Sequence, residues 1–326
     1  LPDGCWIWHC WAFGLHRGAG AVLMRGAALL GAIGLGVIGL GAIGLGAMGL
    51  ASCAPAPSTT APHQFPTIVS LNPCSDAVLA EVADPAQLLA ISSFSHNPAS
   101  SSMDLARARQ FRAISGSAEE ILALRPDVVV ADQFLPPATG NALAALAIPV
   151  ERLPIANTVD DSRAQVMRLA QIAGHPERGR ALVARIDAAL ARAAPAAGSK
   201  SIGPSVAAVV WQSGGIVPGP GTLIADLLRR TGFRLASAAR GMKQADVLSL
   251  EALLADPPQV ILTAGNPRGN EDRLLSHPGL AMLKETKREA FDPKLLWCGG
   301  ETIVRAAERL SAIRSEFPPK SGRGLQ

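Results

Sequence analysis

Tyrosine is missing from this 326-residue chain, and aromatic residues make up only 4% of it. Each Trp and Phe is therefore a scarce side chain whose position carries weight. Charge is sparse as well, at 17%, with a net charge of +4. Without residues 1–52 there remain 28 basic and 25 acidic residues, or +3. With no long basic run, that balance gives no footprint for nucleic acid. No C-x-x-C occurs among Cys5, Cys10, Cys53, Cys74 and Cys298, which removes zinc-ribbon and thioredoxin-type readings. G-x-S-x-G, P-loop and H-E-x-x-H motifs are absent too, and no Ser/His/Asp set can be assembled. No catalytic residue is assigned, and no cofactor.

What is present begins with an apolar N-terminal tract. Met24-Arg25 precedes residues 26–50, which are almost wholly apolar and glycine-rich, and Leu50-Ala51-Ser52-Cys53 follows. A positive residue, an apolar stretch and small residues before a cleavage point describe a signal peptide. Leu-Ala-Ser-Cys resembles the lipobox of bacterial lipoproteins, which implies lipidation of Cys53 and anchoring by two or three acyl chains. An uncleaved membrane helix is the alternative, since about 25 apolar residues can span a bilayer. Residues 1–23 fit neither picture and read as upstream translation, with Met24 as the start. Residues 53–66 then carry the acylated Cys and a Pro/Ser/Thr-rich tether. Gly34-Leu35-Gly36-Val37-Ile38-Gly39 matches G-x-G-x-x-G, but it belongs to a five-residue low-complexity repeat. No strand precedes it and no acidic residue follows at the required distance, so it is no dinucleotide site.

From residue 67 onward, short apolar runs alternate with helical patterns. Residues 67–71, 88–91, 128–131 and 150–153 read as strands of a first half. Residues 206–211, 260–263 and 295–297 read as strands of a second. Runs apolar on both faces, such as Val128-Val129-Val130, suit buried parallel strands with helices on either side, an α/β architecture. Residues 117–128 and 249–260 both fit S-x-E-x-x-L-A-x-x-P-x-V, 132 positions apart. Ser117 and Ser249 are natural N-caps. Glu119 and Glu251 lie in the first turn, where the helix dipole favours a carboxylate. Pro126 and Pro258 end the helix and send the chain into a strand. Two copies of one unit predict two similar lobes, at 67–157 and 197–317, with a cleft between them and a tail at 318–326. Residues 158–196 read as the connection. An amphipathic helix breaks at Gly174-His175-Pro176, and a second, roughly 27 Å long at 1.5 Å per residue, bridges the lobes.

In this order and spacing, the opening strand through Asn72-Pro73, the Leu124-Arg125-Pro126-Asp127-Val128 segment, the bridging helix, Gly219-Pro220-Gly221-Thr222 and the second repeat resemble a known family. It is the cobalamin- and siderophore-type periplasmic binding proteins of ABC importers, and the resemblance covers about residues 66–317. It implies the class III form: two Rossmann-like lobes with parallel sheets joined by a single long helix. It further implies a monomeric receptor, with an ABC permease and ATPase as partners, that carries an iron-siderophore, haem or corrinoid. In that family one Glu per lobe docks on permease arginines, and the matching positions are Glu119 and Glu251. Equivalent carboxylates on duplicated helices would present a symmetric pair to a two-fold partner, although each also simply favours its own helix N-terminus. An α/β enzyme and a sensory lipoprotein on the same frame are the other readings.

Ligands of open α/β sheets sit beyond the carboxyl ends of the strands. The loops there hold Asn72 and Cys74, Phe94 and His96, Gln133 and Phe134 in the first lobe, and Trp211 and Gln212, Arg268, Trp297 and Cys298 in the second. Aromatic walls suit a macrocycle or chelate, and Arg268 suits an anionic group, with ordinary packing or solvation as the alternative for each. Cys74 and Cys298 can bridge in an oxidising compartment, face the ligand or a soft metal as thiols, or be unrelated. His96 is the one histidine near this rim, which speaks against a bare transition-metal site.

Overall fold

The computed structural model describes residues 64–195, 205–265 and 270–317. The lipobox, with Cys53, and the Arg268 loop lie outside those residues.

The first lobe runs β1 (Ile68–Ser70), α1 (Pro73–Val82), β2 (Leu88–Ser92), α2 (Leu105–Ala108), β3 (Ala113–Ile114), α3 (Ala118–Leu124), β4 (Val128–Asp132), α4 (Pro137–Ala145) and β5 (Val150–Leu153). Its five strands are all parallel, in the order β3-β2-β1-β4-β5. Val129 and Val130 are fully buried on opposite faces of β4, Val129 among Val69, Ile121 and Leu143, and Val130 among Leu79, Ile91 and Leu169. That two-sided burial is what an uninterrupted valine run requires.

Two helices follow, α5 (Val159–Ile172) and α6 (Pro176–Ala193). Thr158 and Asp161 form a capping box at the start of α5, and Gly174 at φ 78° turns the chain into α6. The buried stripe of α6, Leu182, Ile186, Ala189 and Leu190, packs into the main core. Its neighbours are α5, α1 and the C-terminal helix, so the bridging helix is embedded in a helical layer that both lobes share.

The second lobe runs β6 (Val206–Gln212), β7 (Ile216–Val217), α7 (Leu223–Arg230), β8 (Phe233–Leu235), α8 (Ala236–Ala239), β9 (Asp246–Val247), α9 (Leu250–Ala255), β10 (Val260–Ala264), β11 (Lys287–Ala290) and α10 (Glu301–Ser315). Four parallel strands lie in the order β11-β10-β6-β8, and β7 pairs with β9 in an antiparallel ribbon. The expected strand at 295–297 does not form. Residues 293–295 make a 3-10 turn that drives Leu295 and Leu296 into the core, and the parallel edge is supplied by the polar segment Lys287–Ala290. An edge strand packs on fewer sides, so Lys-Arg-Glu-Ala is tolerated there.

Candidate functional site

In each sheet the strand order reverses once, between β1 and β4 in the first lobe and between β6 and β10 in the second. At such a switch point neighbouring loops leave in opposite directions and open a crevice at the carboxyl ends. The first crevice is braced by Asn72. Its Oδ1 accepts from the Cys74 N–H at 2.7 Å, capping α1, and its Nδ2 donates to Asp132 Oδ2 at 2.6 Å. Asp132 Oδ1 in turn accepts from the Phe134 N–H at 2.8 Å. This chain of polar contacts fixes a turn that leaves Gln133 exposed and the Phe134 ring 59% exposed.

Phe94 rides on the 3-10 turn after β2 and is 60% exposed. Asp76 holds that turn from below, its Oδ2 accepting from the Ser92 N–H at 3.0 Å and the Ser95 hydroxyl at 2.7 Å. Asp76 lies wholly inside the lobe, and burial pushes its carboxyl up to about 8, against the weaker opposing pull of the Ser70 and Ser95 hydroxyls and the Ser92 N–H. His96 fastens the other end of the turn, with Nε2 at 3.0 Å from the Ala108 carbonyl and 3.2 Å from that of Phe111. Its ring is half-buried and held as a brace.

In the second lobe Trp211 does not wall a cleft. It is fully buried on the same face of β6 as Val209, beside Val217, Leu253 and Ile261, and its Nε1 donates to the Leu248 carbonyl at 3.0 Å. The strand extends through Gln212, so Trp211 obeys the strand's alternation and points into the core. Gln212 is half-buried. Trp297 is 48% exposed, whereas Cys298 beside it is buried and bonded to Cys74, with Cα atoms 5.0 Å apart. The two cysteines are thus a disulfide joining the lobes, neither ligand-facing thiols nor unrelated.

Exposed apolar side chains that the sequence reading missed are Ile155, just past β5, and Ile216 and Val247, paired across the β7–β9 ribbon. Two-residue strands leave no periodic signal, so nothing in the pattern flagged them. A cavity of about 380 Å³ opens at the carboxyl ends of β10 and β11, lined by Thr263, Gly265, Phe291, Asp292 and Arg309. None of the aromatic candidates lines it, and the Arg309 guanidinium is engaged by Glu289 at 2.7 Å and the Ala290 carbonyl at 2.8 Å. Among the described residues no group of three or more His, Cys, Asp or Glu is placed to hold a metal ion.

The repeated helices show what their carboxylates do. Ser117 accepts from the Glu120 N–H, and Glu120 closes the capping box by accepting from the N–H groups of Ser115, Gly116 and Ser117. The Ser115 hydroxyl, first among these contacts, holds the Glu120 carboxyl below its usual range. Glu119 therefore has no capping task and is exposed. Glu251 is exposed likewise. Its own backbone N–H and the Ser249 hydroxyl lower its carboxyl, and His277 nearby adds to this.

Two parallel sheets, each with a switch point, in lobes joined by a shared helical layer and a disulfide, define a two-lobed α/β binding fold. The chain belongs to the periplasmic binding protein family, whose model matches residues 68–288. Solved structures of similar fold include the periplasmic haem-binding protein RhuT from Roseiflexus sp. RS-1 in apo form, with TM-score 0.60 and 23% identity, covering 78% of this chain and 98% of that one. The haem-binding protein HutB of Vibrio cholerae aligns with TM-score 0.61 and 19% identity over 77% and 99%. The vitamin B12-binding protein BtuF of the same organism aligns with TM-score 0.58 and 18% identity over 78% and 100%. No curated protein sequence matches the chain.

Proposed function

We propose that this protein is the exported receptor of an ABC importer, which captures a haem, corrinoid or ferric-siderophore ligand between its lobes and delivers it to a membrane permease. The observation that carries the reading is a set of large exposed apolar side chains: Phe94, Phe134 and Ile155 in the segments that follow β2, β4 and β5 of the first lobe, and Ile216 after β6 and Trp297 in the loop before α10 of the second. Flat apolar walls with a few polar groups match a macrocycle or chelate. Similar folds named for haem and for vitamin B12 support the same ligand class. Gln133, Gln212 and Arg268 are the polar groups proposed beside the aromatics, with Asn72 and His96 acting as braces. Glu119 and Glu251 are the proposed permease contacts, supported by their exposure and by the assignment of the α3 capping task to Glu120. Anchoring through Cys53 is supported by the Leu-Ala-Ser-Cys sequence after the apolar tract.

A thermal-shift screen with haem, cyanocobalamin and several ferric siderophores tests the reading. A ligand present at about 100 times its Kd adds roughly 2.7 kcal/mol to the folded state, a shift of several degrees. A melting temperature that none of these compounds moves counts against the receptor reading.

A further inference from the structure

Cys74 is the second residue of α1 in the first lobe, and Cys298 lies in the loop between β11 and α10 in the second, 224 positions away. Their bond is the one covalent tie between the lobes, apart from the chain itself, among the described residues. The segment around Cys298 is pressed onto the first lobe and α5. The Ser102 hydroxyl lies 2.9 Å from Cys298 Sγ and 3.1 Å from the Pro73 carbonyl. The Gly300 N–H donates to Ser162 Oγ at 2.9 Å, and Arg305 donates to the Ser102 carbonyl. Gly300 sits at φ 63°, where a Cβ would also come within 2.7 Å of Val78, and a Cβ on Gly299 would come within 2.7 Å of the Ser162 Cβ. Only glycine lets this backbone lie so close. Two further seams cross nearby. Arg185 on α6 pairs with Glu81 of α1 at 3.0 Å and also with Glu301 of α10, and Asp226 of α7 accepts from the Val159 N–H at 3.0 Å.

The hydrogen bonds and ion pairs among these contacts break and re-form as lobes part, and the disulfide is the covalent tie laid over the apolar layer of α1, α6 and α10 that the lobes share. We propose that the Cys74–Cys298 disulfide is a redox-reversible staple that sets the spacing of the lobes: oxidised, it holds the cleft at one width, and reduced by a dithiol, it lets the lobes separate and a ligand escape faster. Cys74 is half-exposed and Cys298 is buried, so the first sulfur is the one a reductant reaches. A thiolate of the dithiol attacks Cys74 Sγ and expels Cys298 as a thiolate, which takes up a proton. The second thiol of the reductant then displaces Cys74 from the mixed disulfide. The products are two cysteine thiols and the oxidised, disulfide form of the reductant.

The lobe-spacing claim stands on the geometry alone, while the faster escape of ligand rests on the receptor reading. The folded protein, oxidised and after dithiothreitol, is compared by hydrogen exchange and small-angle scattering without ligand, with a thiol count on each sample. Cyanocobalamin and haem release are then followed for whichever of the two binds. Reduction should speed exchange at residues 99–103 and 298–303 by roughly tenfold, as expected for a locally opened unit. It should also enlarge the radius of gyration, leave the circular dichroism unchanged and speed release. A Cys74→Ser/Cys298→Ser variant should match the reduced protein and ignore dithiothreitol. Unchanged exchange and scattering in a sample that gains two thiols on reduction overturn the proposal, as does a thiol count that reduction leaves unchanged. If neither probe binds but exchange rises, the staple stands and the receptor reading is the part that fails.

Discussion

Replacing Asp76 by Asn should abolish most of the pH dependence of stability between about pH 5 and pH 8. Asp76 is fully buried among the Ser70 and Ser95 hydroxyls and the Ser92 N–H, and the Ser70 hydroxyl is shared with Ser75 at 2.8 Å. Burial raises its carboxyl from 3.8 to about 8. The folded protein therefore keeps this proton over a range in which the unfolded chain has released it. The contribution is whole below about pH 4 and is lost as pH climbs towards 8. At about 1.4 kcal/mol per unit, a shift of that size caps the loss at roughly 6 kcal/mol, of which about 3 kcal/mol, close to half, falls between pH 5 and pH 7. The carboxyls of Asp84, Glu120, Glu151 and Glu251 are lowered instead. Their stabilisation is present above the ordinary carboxylate range and is lost as pH falls through it, so it acts in a separate window. Asn keeps an acceptor for the Ser92 N–H and the Ser95 hydroxyl and carries no charge at any pH. Urea denaturation at several pH values should show the wild type losing about 1.4 kcal/mol per unit between pH 5 and pH 7, with the Asp76→Asn curve nearly flat and the variant ahead by pH 8. Parallel curves would mean that Asp76 is charged throughout and would refute the reasoning.

Two further predictions separate docking from capture and core from cleft. Reversing both Glu119 and Glu251 to Arg should abolish ligand uptake in cells while titration of the purified protein shows an unchanged Kd; normal uptake would end the docking proposal. Trp211→Ala should cost roughly 3–5 kcal/mol in denaturant unfolding, as for other large buried aromatics. Phe134→Ala and Trp297→Ala, on half-exposed side chains, should stay within about 1 kcal/mol of wild type and lower ligand affinity instead. A Trp297→Ala protein that binds with undiminished affinity would place that ring outside the cleft.

The fold was more legible than the site because burial on two faces leaves a trace in sequence and exposure does not. Val128-Val129-Val130 and the run 206–210 can only be interior strands, and both are. The Ser117 and Ser249 units read as capped helices, and both serines do cap. Misreadings fell where one face suffices. Leu295-Leu296 looked like a strand because both residues are buried, yet a 3-10 turn buries them equally well. The true edge strand, Lys287–Ala290, is polar enough to pass for a loop. Trp211 was misplaced by a single residue of strand length. Ended at Trp211, the strand releases its ring to a loop, whereas continued through Gln212, alternation pairs Trp211 with Val209 on the inward face. The bridge between Cys74 and Cys298 is one of three readings the sequence allows, and a 224-position separation obeys no spacing rule that would choose it over free thiols, because the pairing depends on both lobes being folded.

How the lobes are joined bears on how such a receptor would gain affinity. A free hinge lets a cleft close around its ligand, and the closing contacts then supply much of the binding. Here α6 is packed by α5, α1 and α10, and the disulfide ties the lobes a second time, from the first turn of α1 to the loop before α10. Large closure would have to shear that helical layer or stretch the Gly299-Gly300 segment away from Ser162 and Val78. On the proposed reading, affinity then rests on walls already formed before the ligand arrives, and a rigid cleft avoids the ordering cost that a closing one meets. Asn72, Asp132, Asp76 and His96 are disposed accordingly. None needs to touch a ligand, yet each fixes the turn that presents Phe134 or Phe94. Specificity should therefore respond to these braces as well as to the rings they hold, and changes at the braces should slow association less than they speed release, because a loosened wall is still open to entry.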